Sequence, residues 1–108
     1  MASNFYKFTD TAKRDLDEIL NYLAKELCND IAAKKIFVAI EEAINRICEF
    51  PCSYPCIDNE YLNLKEIRKI VIENYIMYYM YEVDKNMITI LRILYGRRNV
   101  DEIIKCII

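Results

Sequence analysis

Histidine is absent from this 108-residue chain, glycine occurs once and proline twice. The missing imidazole excludes the most: Ser-His-Asp and Cys-His hydrolysis, histidine-ligated metals and a histidine general base all fall away. No apolar run approaches the roughly 18 residues that span a bilayer, and the N-terminal MASNFYKFTDTAKRDL lacks the charged-then-apolar pattern of a secretory signal. A cytoplasmic protein with no membrane association is the expectation. The formal charge of −2 argues against bulk coating of nucleic acid.

What is present suits one small globular domain over residues 1–108: 55% of residues are hydrophobic and 30% charged. The five cysteines, Cys28, Cys48, Cys52, Cys56 and Cys106, are an odd number without an export signal, so reduced thiols are expected rather than a disulfide framework. Cys48, Cys52 and Cys56 have a C-x3-C-x3-C spacing that fits no common zinc site, and neither metal nor cofactor is expected.

The chain opens with a β-like Asn4 to Phe8. Thr9 or Asp10 then offers a helix cap, after which Ala12, Leu16, Ile19, Leu20, Leu23 and Leu27 recur at helical intervals. Asn29 and Asp30 break and recap the chain. A second stripe of Ala33, Ile36, Phe37, Ile40, Ala43, Ile44 and Ile47 ends at Pro51, so the two helices should form an antiparallel hairpin. Residues 51–64 read as the one long loop. Three β patterns follow, Glu66 to Ile72, Tyr75 to Val83 and Met87 to Tyr95, with Glu73-Asn74 and Asp84-Lys85-Asn86 as hairpin turns of a meander. Asn99 to Ile107 places Val100, Ile103, Ile104 and Ile107 on one face of a short helix.

Both faces of the last two strands are largely apolar, and two helices can cover only one of them. Leftover apolar surface is therefore expected, suited to a partner or to a second copy of the chain in a homodimer. Charge emerges where the third meander strand ends, at Tyr95-Gly96-Arg97-Arg98. Arg92, inside that strand, needs a carboxylate, water or a groove, because an unpaired buried charge is costly.

The order of elements, with LKEIRKIVIENYIMYYMYEVD leading into ILRILYGRRNVDEII, resembles the RelE/ParE superfamily of toxins from bacterial type II toxin-antitoxin modules. FTDTAKRDLDEILNYLAKEL is similar to its first helix. The resemblance implies an α+β fold: an N-terminal strand and an antiparallel helix hairpin packed on one face of an antiparallel sheet with a three-strand meander, followed by a short C-terminal helix. It also implies a cognate antitoxin whose C-terminal segment wraps the toxin and fills the apolar surface, for which Tyr79, Tyr81, Leu91 and Ile93 are the candidates.

Within the superfamily, RelE-like members cut mRNA on the ribosome, whereas ParE-like members poison DNA gyrase. RNA cleavage without a metal needs an activating base, cations for the phosphorane and an acid for the leaving oxygen. Where RelE-like nucleases carry an arginine just inside the second meander strand, this chain has Ile76, and its terminal segment contains no tyrosine. The Gly96-Arg97-Arg98 ending is nearer the ParE-like branch. Lys65, Arg68, Arg92, Tyr95, Arg97 and Arg98 are the candidate target-binding residues, with Lys69 able to extend the basic surface. Catalytic residues are not assigned.

Overall fold

The computed structural model describes residues 5–54 and 67–96. They form β1 (Phe5–Phe8), α1 (Asp10–Asn21) continued by a π-helical turn (Tyr22–Glu26), α2 (Asp30–Glu49), β2 (Ile67–Ile72), β3 (Tyr75–Glu82), a 3-10 turn (Val83–Lys85) and β4 (Met87–Tyr95). The helix hairpin covers one face of a four-stranded sheet of order β1-β4-β3-β2. β2, β3 and β4 form the expected antiparallel meander. β1 adds to it in parallel with β4, from Phe5 opposite Met87 to Phe8 opposite Ile90. The expected helix at Asn99 to Ile107 and most of the expected loop lie outside the described residues.

Both helices start at the caps their sequences advertise. The Thr9 hydroxyl accepts from the Ala12 amide at 3.0 Å, and the Asn29 side chain accepts from the Ala32 amide at 3.0 Å. Each satisfies an amide that the first helical turn would otherwise leave without a partner. The end of the first helix departs from the plain helical reading. The Leu27 amide reaches back five residues to the Tyr22 carbonyl, and Cys28 then turns the chain with a left-handed φ of 48°. Glu73 and Asn86 adopt the same region at 54° and 49°. In a chain with one glycine, turns that glycine usually serves fall to other residues; Asn86 tolerates that conformation best.

The core lies between the hairpin and the sheet. Ile36, Ile40, Ala43, Ile44 and Ile47 of α2 face Ile70, Ile72, Met77, Tyr79, Ile88, Ile90 and Ile93 of the strands. Burying one such isoleucine contributes about 2 kcal/mol.

β4 owes its uninterrupted apolar run to a change of phase. Tyr79 pairs with Ile90 but Tyr78 pairs with Arg92, so Leu91 is an extra residue at a β-bulge. A bulge reverses the alternation beyond it. Ile88, Ile90 and Ile93 therefore join the helix-covered core, while Leu91 and Leu94 fall in the cluster on the other face.

The second face is covered in its middle and apolar at its edges. Ile67, Tyr78 and Leu94 are buried on it, and Ile76, Met80 and Leu91 are half-buried. Val71 of β2, the cross-strand neighbour of Ile76, and Phe5 of β1, which alternates away from the core-packed Phe8, are exposed on this same face, while Ile31 near the hairpin tip, Phe50 after α2 and Val83 in a turn are exposed elsewhere. Among the described residues no helix is long and apolar enough to cross a membrane.

Candidate functional site

The sheet sets its arginines on strands that flank β3. Arg68 of β2 lies opposite Tyr79, and Arg92 of β4 lies opposite Tyr78, which also pairs with Lys69. Lys69 and Arg92 thus share a row across Tyr78, one strand to either side.

Arg92 finds the carboxylate that its burial demands. Its Nε donates to Asp15 Oδ2 at 2.7 Å and its Nη2 to Oδ1 at 3.1 Å, with 20% of the Arg92 and 11% of the Asp15 side chain exposed. Two parallel charge-assisted bonds fix the guanidinium in one orientation. Asp15 Oδ2 also accepts from the Ile93 amide at 3.1 Å. This third bond has a topological cause. β1 stops pairing at Phe8, so the outer edge of β4 loses its strand partner beyond Ile90.

The start of α1 takes over from β1. The Thr9 amide donates to the Ile90 carbonyl at 3.0 Å, the Thr9 hydroxyl to the Leu91 carbonyl at 3.0 Å, and Asp15 receives the Ile93 amide. The same Thr9 hydroxyl both caps α1 and ties it to the bulge in β4. Asp15 was not singled out in the sequence. Its signal was an acid three residues after Ala12 and four before Ile19, beside an otherwise apolar stripe.

Arg68 has different surroundings. Its Nη1 donates to the Tyr54 carbonyl at 2.6 Å, while Arg46 Nε donates to the Tyr54 hydroxyl at 3.4 Å. The buried Tyr79 donates its hydroxyl to the Pro51 carbonyl at 3.0 Å. Residues 51–54 are thereby tied to α2 and to the sheet. Two guanidiniums are oriented at this corner by a carbonyl and a phenol, acceptors that leave the positive charge in place. Arg46 and Tyr54 were also missed in the sequence, because nothing local indicates that the end of α2 lies beside β2.

β4 ends where its backbone presses on the turn between β2 and β3. The Gly96 amide donates to the Asn74 carbonyl at 2.8 Å, and a Cβ on Gly96 would lie 3.3 Å from that oxygen. Close approach, not a left-handed φ, is what glycine provides here. Next to it the Tyr95 and Tyr75 rings meet edge-on, with centroids 5.7 Å apart and planes at 63°. Burial pushes the Tyr75 phenol above its ordinary range, and the nearby Tyr95 and Tyr22 push it further.

Of the other candidates, Lys65, Arg97 and Arg98 lie outside the described residues. Tyr79 and Ile93 are buried beneath the helix hairpin, at 0% and 2% exposure. Tyr81 is half-buried against the same core, and Leu91 is half-buried on the opposite face. The four candidate antitoxin residues therefore do not form one surface: two are interior, and the other two belong to different faces. Among the described cysteines, Cys28 and Cys52 are exposed and Cys48 is buried. Burial pushes the Cys48 thiol up. Among the described residues no three His, Cys, Asp or Glu side chains are grouped to hold a metal.

A mixed four-stranded sheet under a helix hairpin is the architecture of the RelE/ParE toxins. Residues 6–100 match the family model described as the ParE toxin of the type II toxin-antitoxin system parDE, and the chain belongs to that family. The fold is also that of two solved structures. A chain of the chromosomal ParDE toxin-antitoxin system from P. aeruginosa is 21% identical, with 86% of this chain and 96% of that one covered at a TM-score of 0.67. A chain of the RelBE2 toxin-antitoxin complex from Mycobacterium tuberculosis is 18% identical, with 87% and 99% covered at 0.62. No curated protein sequence matches significantly.

Proposed function

We propose that this chain is a growth-inhibiting toxin that poisons DNA gyrase and is held inactive by a cognate antitoxin. The observation that carries the choice of target is the state of Arg92. Its guanidinium is engaged by Asp15 in two charge-assisted bonds and serves the junction of α1 with β4. A ribonuclease would need cations aimed at the phosphorane together with an acid and a base. The chain has no histidine for either role, and position 76 is isoleucine.

Inhibition of gyrase asks for less: a shaped, charged surface that engages a protein or its bound DNA. Arg68 keeps its charge among neutral acceptors and is the described residue best suited to that surface, with Lys65, Arg97 and Arg98 contributing from outside the described residues. Tyr95 borders the same end of β4. In this reading Arg92 positions the strand rather than touching the target. Tyr81 and Leu91 can meet the antitoxin, while Tyr79 and Ile93 support the strands from beneath.

Expression of the chain alone in bacteria should arrest growth, and co-expression with its antitoxin should restore it. Extracts of arrested cells should contain cleaved DNA trapped covalently on gyrase. Cuts in mRNA at the ribosomal A site without trapped gyrase would establish the ribonuclease reading instead. Soluble, folded protein that leaves growth unchanged would mark a binding module without toxicity.

A further inference from the structure

Between the first helix and the end of β4 lies a groove of about 580 Å³, within the size range of sites that enclose a large side chain or a small ligand. Its floor is apolar, formed by Ile19, Leu23 and Leu27 on one side and by Ile93 and Leu94 on the other. The π-helical turn builds one wall. Its five-residue hydrogen bond from Leu27 back to Tyr22 brings two positions onto one side that a plain α-helix would turn apart. Both residues line the groove.

The opposite wall is the corner made by Tyr75 and Tyr95, whose rings stand at 63° to each other. With Tyr22 across from them, three aromatic side chains border one space. Burial first, and then the neighbouring Tyr95 and Tyr22, oppose ionisation of Tyr75.

Charge selects the occupant. Among the described residues that line the groove, Asp15 and Glu18 are the charged ones, and neither lysine nor arginine is among them. Asp15 is engaged by Arg92, whereas Glu18 is exposed and has no ion-pair partner among the described residues. We infer that this groove receives an arginine side chain presented by an apolar segment of the neutralising partner, its guanidinium in the Tyr75-Tyr95 corner beside Glu18 and its aliphatic stem along Ile19 and Leu23. A planar, weakly hydrated guanidinium suits aromatic faces and one carboxylate better than a compact ammonium does. The inference rests on the antitoxin reading for the identity of the partner, but not for the chemistry of the groove.

The test uses the full chain and two blocked tripeptides, acetyl-Leu-Arg-Leu amide and acetyl-Leu-Gln-Leu amide, titrated separately and followed by NMR. The arginine peptide should shift the amide signals of Glu18, Tyr22, Tyr75 and Tyr95, and bind at least tenfold more tightly than the glutamine peptide. Glu18→Gln should remove most of that preference, and added salt should weaken it. Tyr95→Leu, checked for folding by circular dichroism, should weaken arginine-peptide binding while sparing the glutamine peptide. Equal affinities, or shifts confined to other surfaces, would overturn the inference. Growth arrest by the wild-type chain tests the toxin reading separately, so either idea can fail without the other.

Discussion

Arg92 and Arg68 flank the same strand, yet one is neutralised by a carboxylate and the other is held by a peptide carbonyl. At the α1/β4 seam, Asp15 cancels the charge of Arg92 and completes the hydrogen bonding of a strand edge that β1 leaves open. At the α2/β2 corner, Tyr54 orients Arg68 and Arg46 without cancelling either. The difference separates two uses of arginine in one small sheet. A bidentate, half-buried ion pair locks an element in place, whereas a guanidinium on neutral acceptors keeps its field for an outside partner.

Removing the carboxylate alone should have the largest effect on stability. Asp15→Ala removes both charge-assisted bonds to Arg92 and the acceptor of the Ile93 amide in a half-buried site, and urea unfolding should report a loss of about 3–5 kcal/mol. Replacing both members by apolar residues should recover much of it, since a buried pair often costs as much desolvation as it returns. A loss below about 1 kcal/mol for Asp15→Ala would show that the seam does not depend on the pair.

Thr9→Val comes next. It removes a helix cap and the bond to the Leu91 carbonyl together, and should destabilise by about 1–2 kcal/mol. Thr9→Ser, measured in the same way, should stay close to wild type. Valine as benign as serine would place the seam's strength wholly in Asp15.

Arg68→Gln should reverse the balance between folding and function. Stability should fall by about 1 kcal/mol, comparable to one hydrogen bond, while growth arrest is lost at matched levels of folded protein. Arg92→Gln should instead reduce growth arrest only in proportion to the folded protein it removes. If both variants tracked folded protein alone, the contrast between the two corners would be structural and not functional.

The smallest effect concerns pH. Because Tyr75 has a raised phenol pKa in the folded state, the folded chain holds its proton more tightly than the unfolded chain does. Its contribution is complete below the unfolded value of about 10 and declines as pH rises through the higher folded value. Tyr75→Phe should flatten the alkaline decline in melting temperature and leave the neutral region little changed.

Much of this architecture is legible in short stretches of sequence. Thr9 and Asn29 announce the helix starts because a cap is bonded three residues away. The hairpin turns and the strand limits follow from similarly local patterns, and β4 runs from Met87 to Tyr95 as expected. The π turn escaped because leucines at positions 23 and 27 also satisfy ordinary helical spacing. Tyr79 and Ile93 looked accessible because a strict two-residue alternation cannot say which face the helices take, and Leu91 shifts the phase partway along β4.

Arg92 shows where sequence and tertiary structure divide. An isolated charge in an apolar strand required a partner on physical grounds, and that much the sequence alone determined, together with the order of the described strands and the two long helices. That the partner is Asp15, 77 residues earlier, was decided only when α1 crossed the open edge of β4. Caps, turns and amphipathic stripes arise from forces between near neighbours along the chain. Ion-pair identity, strand phase and the aromatic groove depend on residues far apart in sequence, whose separation becomes contact only through packing.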